Sequence, residues 1–195
     1  MERLALFCSG SGTNAQAIMD HFASHPTIRV GCLVANKPDA YALERARRAG
    51  IPTMVFDKAM LNEQTVVDAF LARHGTTCLV LAGFLWLVPA RLLRQFPGRV
   101  LNIHPALLPD FGGPSMYGHR VHAAVAAAGR AESGITIHLA DEVYDRGRIL
   151  FQARTSLAPG AAPAQIEAQV RALELQYFPG VIEQFLQAEG PGHGQ

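Results

Sequence analysis

The residues with the clearest chemical potential lie in one short run, VLNIHPALLP, at residues 100–109. Its apolar start predicts a buried β-strand, and Asn102 and His104 stand two positions apart, so both side chains leave the same face of that strand. Asparagine is uncommon in strands, and Pro105 ends the strand at once. A capping asparagine and a buried structural histidine are the alternative, but an amide beside an imidazole at the end of an apolar strand favours a functional site.

A glycine-rich turn, SGSGTN at residues 9–14, follows the first apolar run and opens a helical pattern. The backbone N–H groups and the helix dipole at such a turn favour anions. Ala15 stands where a dinucleotide fingerprint has its third glycine, and no acidic residue follows the second strand to bind a ribose hydroxyl. The turn therefore predicts a site for a phosphate monoester, with a purely structural tight turn as the alternative.

An acidic segment, DEVYDRG at residues 141–147, is the third feature. Acidic residues next to glycine are typical of a solvated turn, which is the competing interpretation for Asp141 and Glu142. Asp145 differs because its hairpin is expected to pack beside the strand that carries His104. A carboxylate in that place would favour the imidazolium and raise the pKa of His104, which suits a proton donor.

The elements that must position these residues follow a regular order. Apolar strands alternate with helical patterns over the first hundred residues, and strands that are apolar throughout are typical of a parallel sheet buried on both faces. Strands are predicted at residues 4–8, 28–35, 53–56, 78–82 and 100–104, and helices at 14–23, 41–49, 62–74 (with Asn62 as its cap) and 89–95.

After residue 104 the pattern changes to a glycine- and proline-rich loop, a short helix and a hairpin. The predicted elements are a loop at 109–118, a helix at 121–128, strands at 134–139 and 149–153, and a closing helix at 164–186 that Pro179 could break. The fold class is therefore α/β: a doubly wound, mostly parallel, Rossmann-like sheet with a C-terminal antiparallel hairpin and a closing helix.

Composition fits one globular domain, because the chain has 195 residues, 49% of them hydrophobic, and a formal net charge of +1. We predict a single domain over residues 1–187 and a flexible tail over 188–195. The basic residues are scattered except for Arg45, Arg47 and Arg48 on one predicted helix, which indicates a solvated face and no nucleic-acid partner. No apolar run approaches the length needed to cross a bilayer, so no membrane association is expected.

Cys8, Cys32 and Cys78 lie in apolar, strand-like runs without CxxC or metal-ligand spacing. This pattern predicts reduced core residues and no metal. The apolar stretch after the first three residues is too short for a signal peptide, so a cytoplasmic location is expected.

Taken in this order and spacing, the motifs identify a family resemblance. From about residue 3 to about residue 187, the chain resembles the phosphoribosylglycinamide formyltransferases, folate-dependent enzymes of purine synthesis. The residues that carry the resemblance are SGSGTN at 9–14, LAGF at 81–84, LNIHP at 101–105, LLP at 107–109, Asp145, Gly147 and Gln152.

The resemblance implies a formyltransferase fold and a reaction in which the amine of glycinamide ribonucleotide attacks the formyl carbon of 10-formyltetrahydrofolate. Asn102 and a protonated His104 would stabilise the negative oxygen of the tetrahedral intermediate. Asp145 would keep His104 protonated and assist proton transfer. The implied partners are these two small molecules, with folate as co-substrate and no metal or redox cofactor.

The resemblance also implies binding residues and leaves the oligomeric state open between monomer and homodimer. Trp86 stands where relatives often carry arginine, so contacts to the acidic tail of folate are expected to differ. The residues for glycinamide ribonucleotide are Gly12, Thr13, Asn14, Arg171 and Glu174. Those for folate are Leu85, Trp86, Leu87, Val88, Asn102, Asp141, Glu142, Val143 and Tyr144.

Three alternatives to this function stay open. Formyltetrahydrofolate deformylase uses the same three catalytic groups but normally has a regulatory domain before the glycine turn. Other folate-dependent formyltransferases act on methionyl-tRNA, normally with an added RNA-binding domain, or on sugar nucleotides, typically without the phosphate turn. A noncatalytic nucleotide-binding module would use the glycine turn alone and would have no need for Asn102, His104 and Asp145.

Overall fold

The structure is a computed structural model that describes residues 1–63 and 66–188. Its first half is a series of strands joined by helices. These are β1 (Glu2–Cys8), α1 (Thr13–Phe22), β2 (Ile28–Ala35), α2 (Tyr41–Arg48), β3 (Thr53–Val55), α3 (Lys58–Asn62), α4 (Val66–Arg73), β4 (Cys78–Leu81), α5 (Ala90–Gln95) and β5 (Val100–His104). The second half contains α6 (His119–Ala127), β6 (Glu132–Leu139), β7 (Ile149–Ser156) and α7 (Pro163–Ala188).

The strands form one seven-stranded sheet in the order β3-β2-β1-β4-β5-β6-β7. The first five strands pair in parallel, whereas β6 pairs antiparallel with β5 and with β7. The α/β fold class, the mostly parallel sheet, the C-terminal hairpin and the closing helix are confirmed.

The sheet is covered on both faces, which explains why its strands are apolar throughout. In β1, Leu4 and Leu6 face a core shared with α1, α6 and α7. The alternating residues Ala5 and Phe7 face a second core shared with α4 and α5. Because both faces of β1 are occupied, the turn that follows it has a rigid support.

Two local predictions are wrong. Asn62 does not cap a helix: it is the last residue of α3, whose cap is Asp57, with Oδ1 accepting a hydrogen bond of 2.8 Å from the N–H of Met60. Pro179 does not break the closing helix, which continues through it to Ala188. A proline removes one backbone donor from a helix, and here the apolar face around it, including the buried Phe178, is packed in the core.

The predicted tail covers residues 188–195. Residue 188 belongs to α7, and residues 189–195 lie outside the described residues. The single domain over residues 1–187 stays a prediction. Of the helices that the structure describes, none has the length and apolar character needed to cross a membrane.

The close pairing of β6 with β7 at Gly134 gives a first testable prediction. A Cβ atom at this position would overlap the carbonyl oxygen of Ala153 and would lie 2.7 Å from Cδ2 of Leu107. Gly134→Ala should therefore lower the free energy of unfolding in urea by about 1–3 kcal/mol, because an added group in a packed site forces neighbouring backbone to move.

Gly180 in α7 is the matched control, because an added Cβ there meets no atom within 4 Å. Gly180→Ala should leave the free energy of unfolding unchanged or raise it by up to about 1 kcal/mol, since alanine is the better helix former. Equal losses in the two variants would contradict the packing explanation.

Candidate active site

The carboxyl ends of β1, β4 and β5 meet at one edge of the sheet and open into a cavity of about 720 Å³. This volume is in the range of small-molecule sites. Asn102, His104 and Asp145 line the cavity, as do all five residues predicted for the ribonucleotide. Every residue predicted for folate lines it too except Glu142, which faces a smaller pocket beside α5.

At the glycine turn, helix α2 leaves no room for a side chain. Gly12 has a positive φ of 71°, and a Cβ on it would lie 2.6 Å from Cβ of Ala42. Glycine is thus required at this position by conformation and by close approach. Helix α1 begins at the next residue, Thr13, so the N–H groups of its first turn are directed at the cavity end where an anion would be favoured.

Beside this turn, Asn14 and Glu174 form a partly buried polar pair. The Nδ2 amide of Asn14 donates a hydrogen bond of 2.9 Å to Oε2 of Glu174. Burial raises the pKa of Glu174 above its ordinary value, and this effect exceeds the lowering by the Asn14 amide and the charge of Arg171. Arg171 itself is bound to Glu167 at 2.7 Å. This end of the cavity therefore presents a carboxyl group that can accept from hydroxyl groups, with a cation close by.

A segment after β4 forms an apolar part of the lining. Trp86 packs edge-on against Phe56 and Phe84, with ring centroids 6.1 and 6.2 Å away. Leu87 and Val143 are exposed apolar side chains on the same lining. A flat heterocycle would bury this apolar surface.

Pairing of β5 with β6 places His138 directly opposite Asn102. The His138 Nδ1–H donates to the carbonyl oxygen of Leu139 at 2.9 Å, so in the neutral ring Nε2 accepts from the Asn102 Nδ2 amide at 3.0 Å. His138 was missed in the sequence analysis, although a signal was present. It is two positions from Thr136 in an alternating strand, so both side chains share one face.

Asp145 lies between two buried imidazole rings. Its Oδ2 is 3.6 Å from Nδ1 of His104, and its Oδ1 is 3.6 Å from Nε2 of His138. The N–H of Gly113 donates to Oδ2 at 2.9 Å. Asp145 has a φ of 57°, a left-handed conformation that is costly for an aspartate and is held here by these contacts. The expected proximity of Asp145 and His104 is present in the structure.

The protonation of this pair differs from the sequence-based expectation. Burial lowers the pKa of His104 below its ordinary value, although Asp145 and the hydrogen bond that Nε2 donates to the Phe111 carbonyl act in the opposite direction. Asp145 does raise the pKa of His104, as expected, but desolvation of the ring is the larger effect, so the pKa is lowered overall and the expected protonated ring is not the resting state. In the free protein at neutral pH, the His104 ring is mainly neutral.

The Asp145 carboxyl is ionised under the same conditions. Burial acts to raise its pKa, but the interaction with the His138 ring, the charge that His104 carries when protonated, and the Gly113 N–H together hold the pKa below its ordinary value. A buried carboxylate beside a neutral imidazole is ready to stabilise a proton arriving on that ring.

The side chains of Thr136 and Gln152 hold the turn after β5 in place by hydrogen bonds. The Thr136 hydroxyl donates to the Ala106 carbonyl at 2.7 Å and accepts from the Leu108 N–H at 2.9 Å. The Gln152 amide donates to the Thr136 hydroxyl at 2.9 Å and to the Leu108 carbonyl at 3.0 Å. The resemblance included Gln152 without a role; the structure shows that it supports the turn that follows His104.

His122 is a further lining residue that the sequence analysis missed. His122 is buried, lines the cavity, and has an Nδ1 without a partner among the described residues. No sequence signal beyond its place near the loop could have found it. Within residues 1–63 and 66–188, no three His, Cys, Asp or Glu residues are arranged to hold a metal ion, and the three cysteines are buried thiols.

Comparison with solved structures gives the same fold with high overlap. Glycinamide ribonucleotide transformylase 1 from Symbiobacterium toebii has a TM-score of 0.86 and 34% identity, covering 96% of this chain and 89% of that one. Phosphoribosylglycinamide formyltransferase from Bacillus halodurans has a TM-score of 0.87 and 31% identity, with full coverage of both chains.

Sequence comparison with curated proteins also finds phosphoribosylglycinamide formyltransferases. The chain is 40% identical over 189 residues to the chloroplastic phosphoribosylglycinamide formyltransferase of Arabidopsis thaliana, covering 93% of this chain and 64% of that protein. It is 36% identical over 191 residues to the phosphoribosylglycinamide formyltransferase of Haemophilus influenzae, covering 95% and 87%. The formyl transferase family model matches residues 2–182, a span that contains the whole sheet and every predicted site residue. This chain therefore belongs to the formyl transferase family.

Proposed function

We propose that this protein transfers the formyl group of 10-formyltetrahydrofolate to the amine of glycinamide ribonucleotide, a step of purine biosynthesis. The observation that carries the proposal is that one cavity joins the glycine turn at the start of α1, the Asn102, His104 and Asp145 group, and an apolar wall. A phosphorylated amine and a flat heterocyclic donor need these three surfaces together. The names of the relatives from Arabidopsis and Haemophilus support the same reaction.

In this proposal the ribonucleotide phosphate binds the N–H groups of Gly12, Thr13 and Asn14, which is the anion site of a helix start. Glu174 accepts hydrogen bonds from ribose hydroxyls. Arg171 lies close enough to Glu174 to affect its pKa and adds a positive charge to this end of the cavity.

The folate co-substrate is assigned to the other lining surface. Its flat ring packs against the segment of residues 85–88, which consists of Leu85, Trp86, Leu87 and Val88, and its polar edges face Asp141, Val143 and Tyr144. Glu142 is left out of the proposed contacts because it lies outside this cavity.

The proposed mechanism uses the protonation states of the free site. The substrate amine attacks the formyl carbon, and negative charge develops on the formyl oxygen. Asn102 has two amide hydrogens, of which one binds His138, so the other is free to donate to this oxygen. The proton lost by the amine rests on His104, opposite the Asp145 carboxylate, and then moves to the folate nitrogen as its bond to carbon breaks.

The cytoplasm is the proposed compartment, supported by three cysteines that are buried as thiols. For the oligomeric state, the prediction is a monomer or a homodimer.

Loss of the Asn102 amide should affect turnover more than binding. Asn102→Ala should lower kcat about a hundredfold or more, while KM for both substrates changes little, because the lost hydrogen bond forms mainly to the developing oxyanion. The measurement is the absorbance change on folate release, with and without glycinamide ribonucleotide. Asn62→Ala, a control at an exposed position outside the cavity lining, should have the kcat and KM of the wild type. Folate release by the wild type without the ribonucleotide would contradict the transferase and indicate a deformylase.

The pH dependence tests the roles of Asp145 and His104. In the wild type, kcat/KM should fall on the acid side as neutral His104 becomes protonated, with an apparent pKa below the ordinary histidine value of about 6.5. The Asp145 charge raises the pKa of His104, so Asp145→Asn should move this acid limb to still lower pH and also lower kcat. Competitive inhibition by inorganic phosphate should be unchanged. An acid limb that moves upward would refute this assignment.

Folate binding can be followed through Trp86, the only tryptophan of the chain. Packing of a heterocycle against its ring should quench its fluorescence when tetrahydrofolate is added. His104→Ala should keep this quenching although it loses activity, because it removes the proton acceptor and leaves the apolar wall intact. Unchanged fluorescence at saturating folate, shown by a parallel binding measurement, would place the ring elsewhere.

A further inference from the structure

Arg45 lies on α2, behind the glycine turn, and is not part of the cavity lining. Its Nε–H donates a hydrogen bond of 2.9 Å to the carbonyl oxygen of Ser11. Its Nη1 reaches Oε1 of Gln16 at 3.4 Å, and its guanidinium carbon lies 5.0 Å from the ring centroid of Tyr41. The side chain is therefore held from three sides in one orientation.

A second contact from α2 acts on the neighbouring carbonyl of the turn. The N–H of Ala42 donates to the carbonyl oxygen of Gly10 at 3.1 Å. In a trans peptide the C=O and the N–H of the next residue point in opposite directions. With the Gly10 and Ser11 carbonyls both held toward α2, the N–H groups of Ser11 and Gly12 must point away from it.

These two N–H groups are available for a ligand. Ser11 and Gly12 both line the cavity, and neither N–H has an acceptor among the described residues. Successive N–H groups aimed at one point form a concave site for an anion. The contact of Gly12 with Ala42 leaves the turn no space to relax toward α2.

We propose that Arg45 is a positioning residue: by holding the Ser11 carbonyl against α2, it directs the Gly12 N–H at the phosphate monoester of the substrate. This inference rests on the proposed function in that the phosphate binds at this turn. Arg45 does not contact the phosphate itself. Arginine suits the task because its planar guanidinium donates from Nε in a fixed direction while its other nitrogens bind elsewhere.

The neighbouring arginines of α2 differ in their contacts and provide a control. Arg48 pairs with Glu44 at 2.8 Å, and Arg47 is exposed. The basic cluster that the sequence indicates as a solvated face thus contains one member, Arg45, that contacts the turn. Arg47→Met removes the same charge from the same helix without touching the turn.

The kinetic test compares these variants in the transferase assay. Arg45→Met should raise KM for glycinamide ribonucleotide on the order of tenfold, the scale of one lost charge-assisted hydrogen bond, with kcat and KM for folate changed by less than about twofold. Arg47→Met should match the wild type. Equal effects of the two substitutions, or a loss confined to kcat, would overturn the proposal.

A second readout does not depend on formyl transfer. In 15N-labelled wild type, inorganic phosphate should shift the amide resonances of Ser11 and Gly12, and Arg45→Met should weaken the phosphate Kd by the same factor as KM. Arg45→Lys keeps the charge without the planar donor and should behave like Arg45→Met. A lysine variant equal to wild type would assign the effect to charge alone and overturn the positioning role.

The two proposals fail in different ways. If phosphate leaves the Ser11 and Gly12 amides unmoved in the wild type, the positioning role is overturned even where formyl transfer is observed. If phosphate binds as expected and Arg45→Met weakens it, the positioning role is supported even where no formyl transfer to glycinamide ribonucleotide occurs.

Discussion

The antiparallel register between β5 and β6 is the constraint on which the site depends. It sets Asn102 opposite His138 and His104 opposite Thr136. Because side chains alternate along a strand, a slip of one residue would send the histidine and the threonine of β6 to the other face of the sheet. With the observed register, an imidazole meets the Asn102 amide, and a hydroxyl lies where it can fix the turn after His104.

The buried charge of Asp145 is tolerated because the polypeptide around it supplies specific partners. Only 8% of its side-chain surface is exposed, which would favour a neutral carboxyl in isolation. The Gly113 N–H and two imidazoles offset that cost, and each of these partners comes from a different segment. His104, in contrast, is desolvated more strongly than its single carboxylate neighbour can offset. Both pKa values are thus lowered, which keeps Asp145 charged and His104 neutral in the free protein.

Much of the fold could be predicted because both faces of the sheet are buried. Its strands are therefore continuous apolar runs in the sequence. The shared face of Asn102 and His104 also follows from strand geometry alone. The helix start at Asp57 was not predicted, because the pattern nearby is dominated by the longer helix beyond it. The direction of the His104 pKa could not be predicted, since it depends on how completely the turn carrying Phe111 covers the ring. Likewise, the role of Arg45 depends on a contact between segments that are far apart in sequence.

Ser9 joins the two halves of the cavity by hydrogen bonds at both its backbone and its side chain. Its N–H donates to the Gly83 carbonyl at 3.1 Å, and its hydroxyl accepts from the Leu85 N–H at 3.1 Å. The start of the glycine turn and the start of the apolar segment are therefore connected directly by two hydrogen bonds. Any shift of the glycine turn that binding of the proposed phosphate causes would therefore be passed to the apolar segment, and the coupling free energy between the two proposed ligands would be the same in both directions.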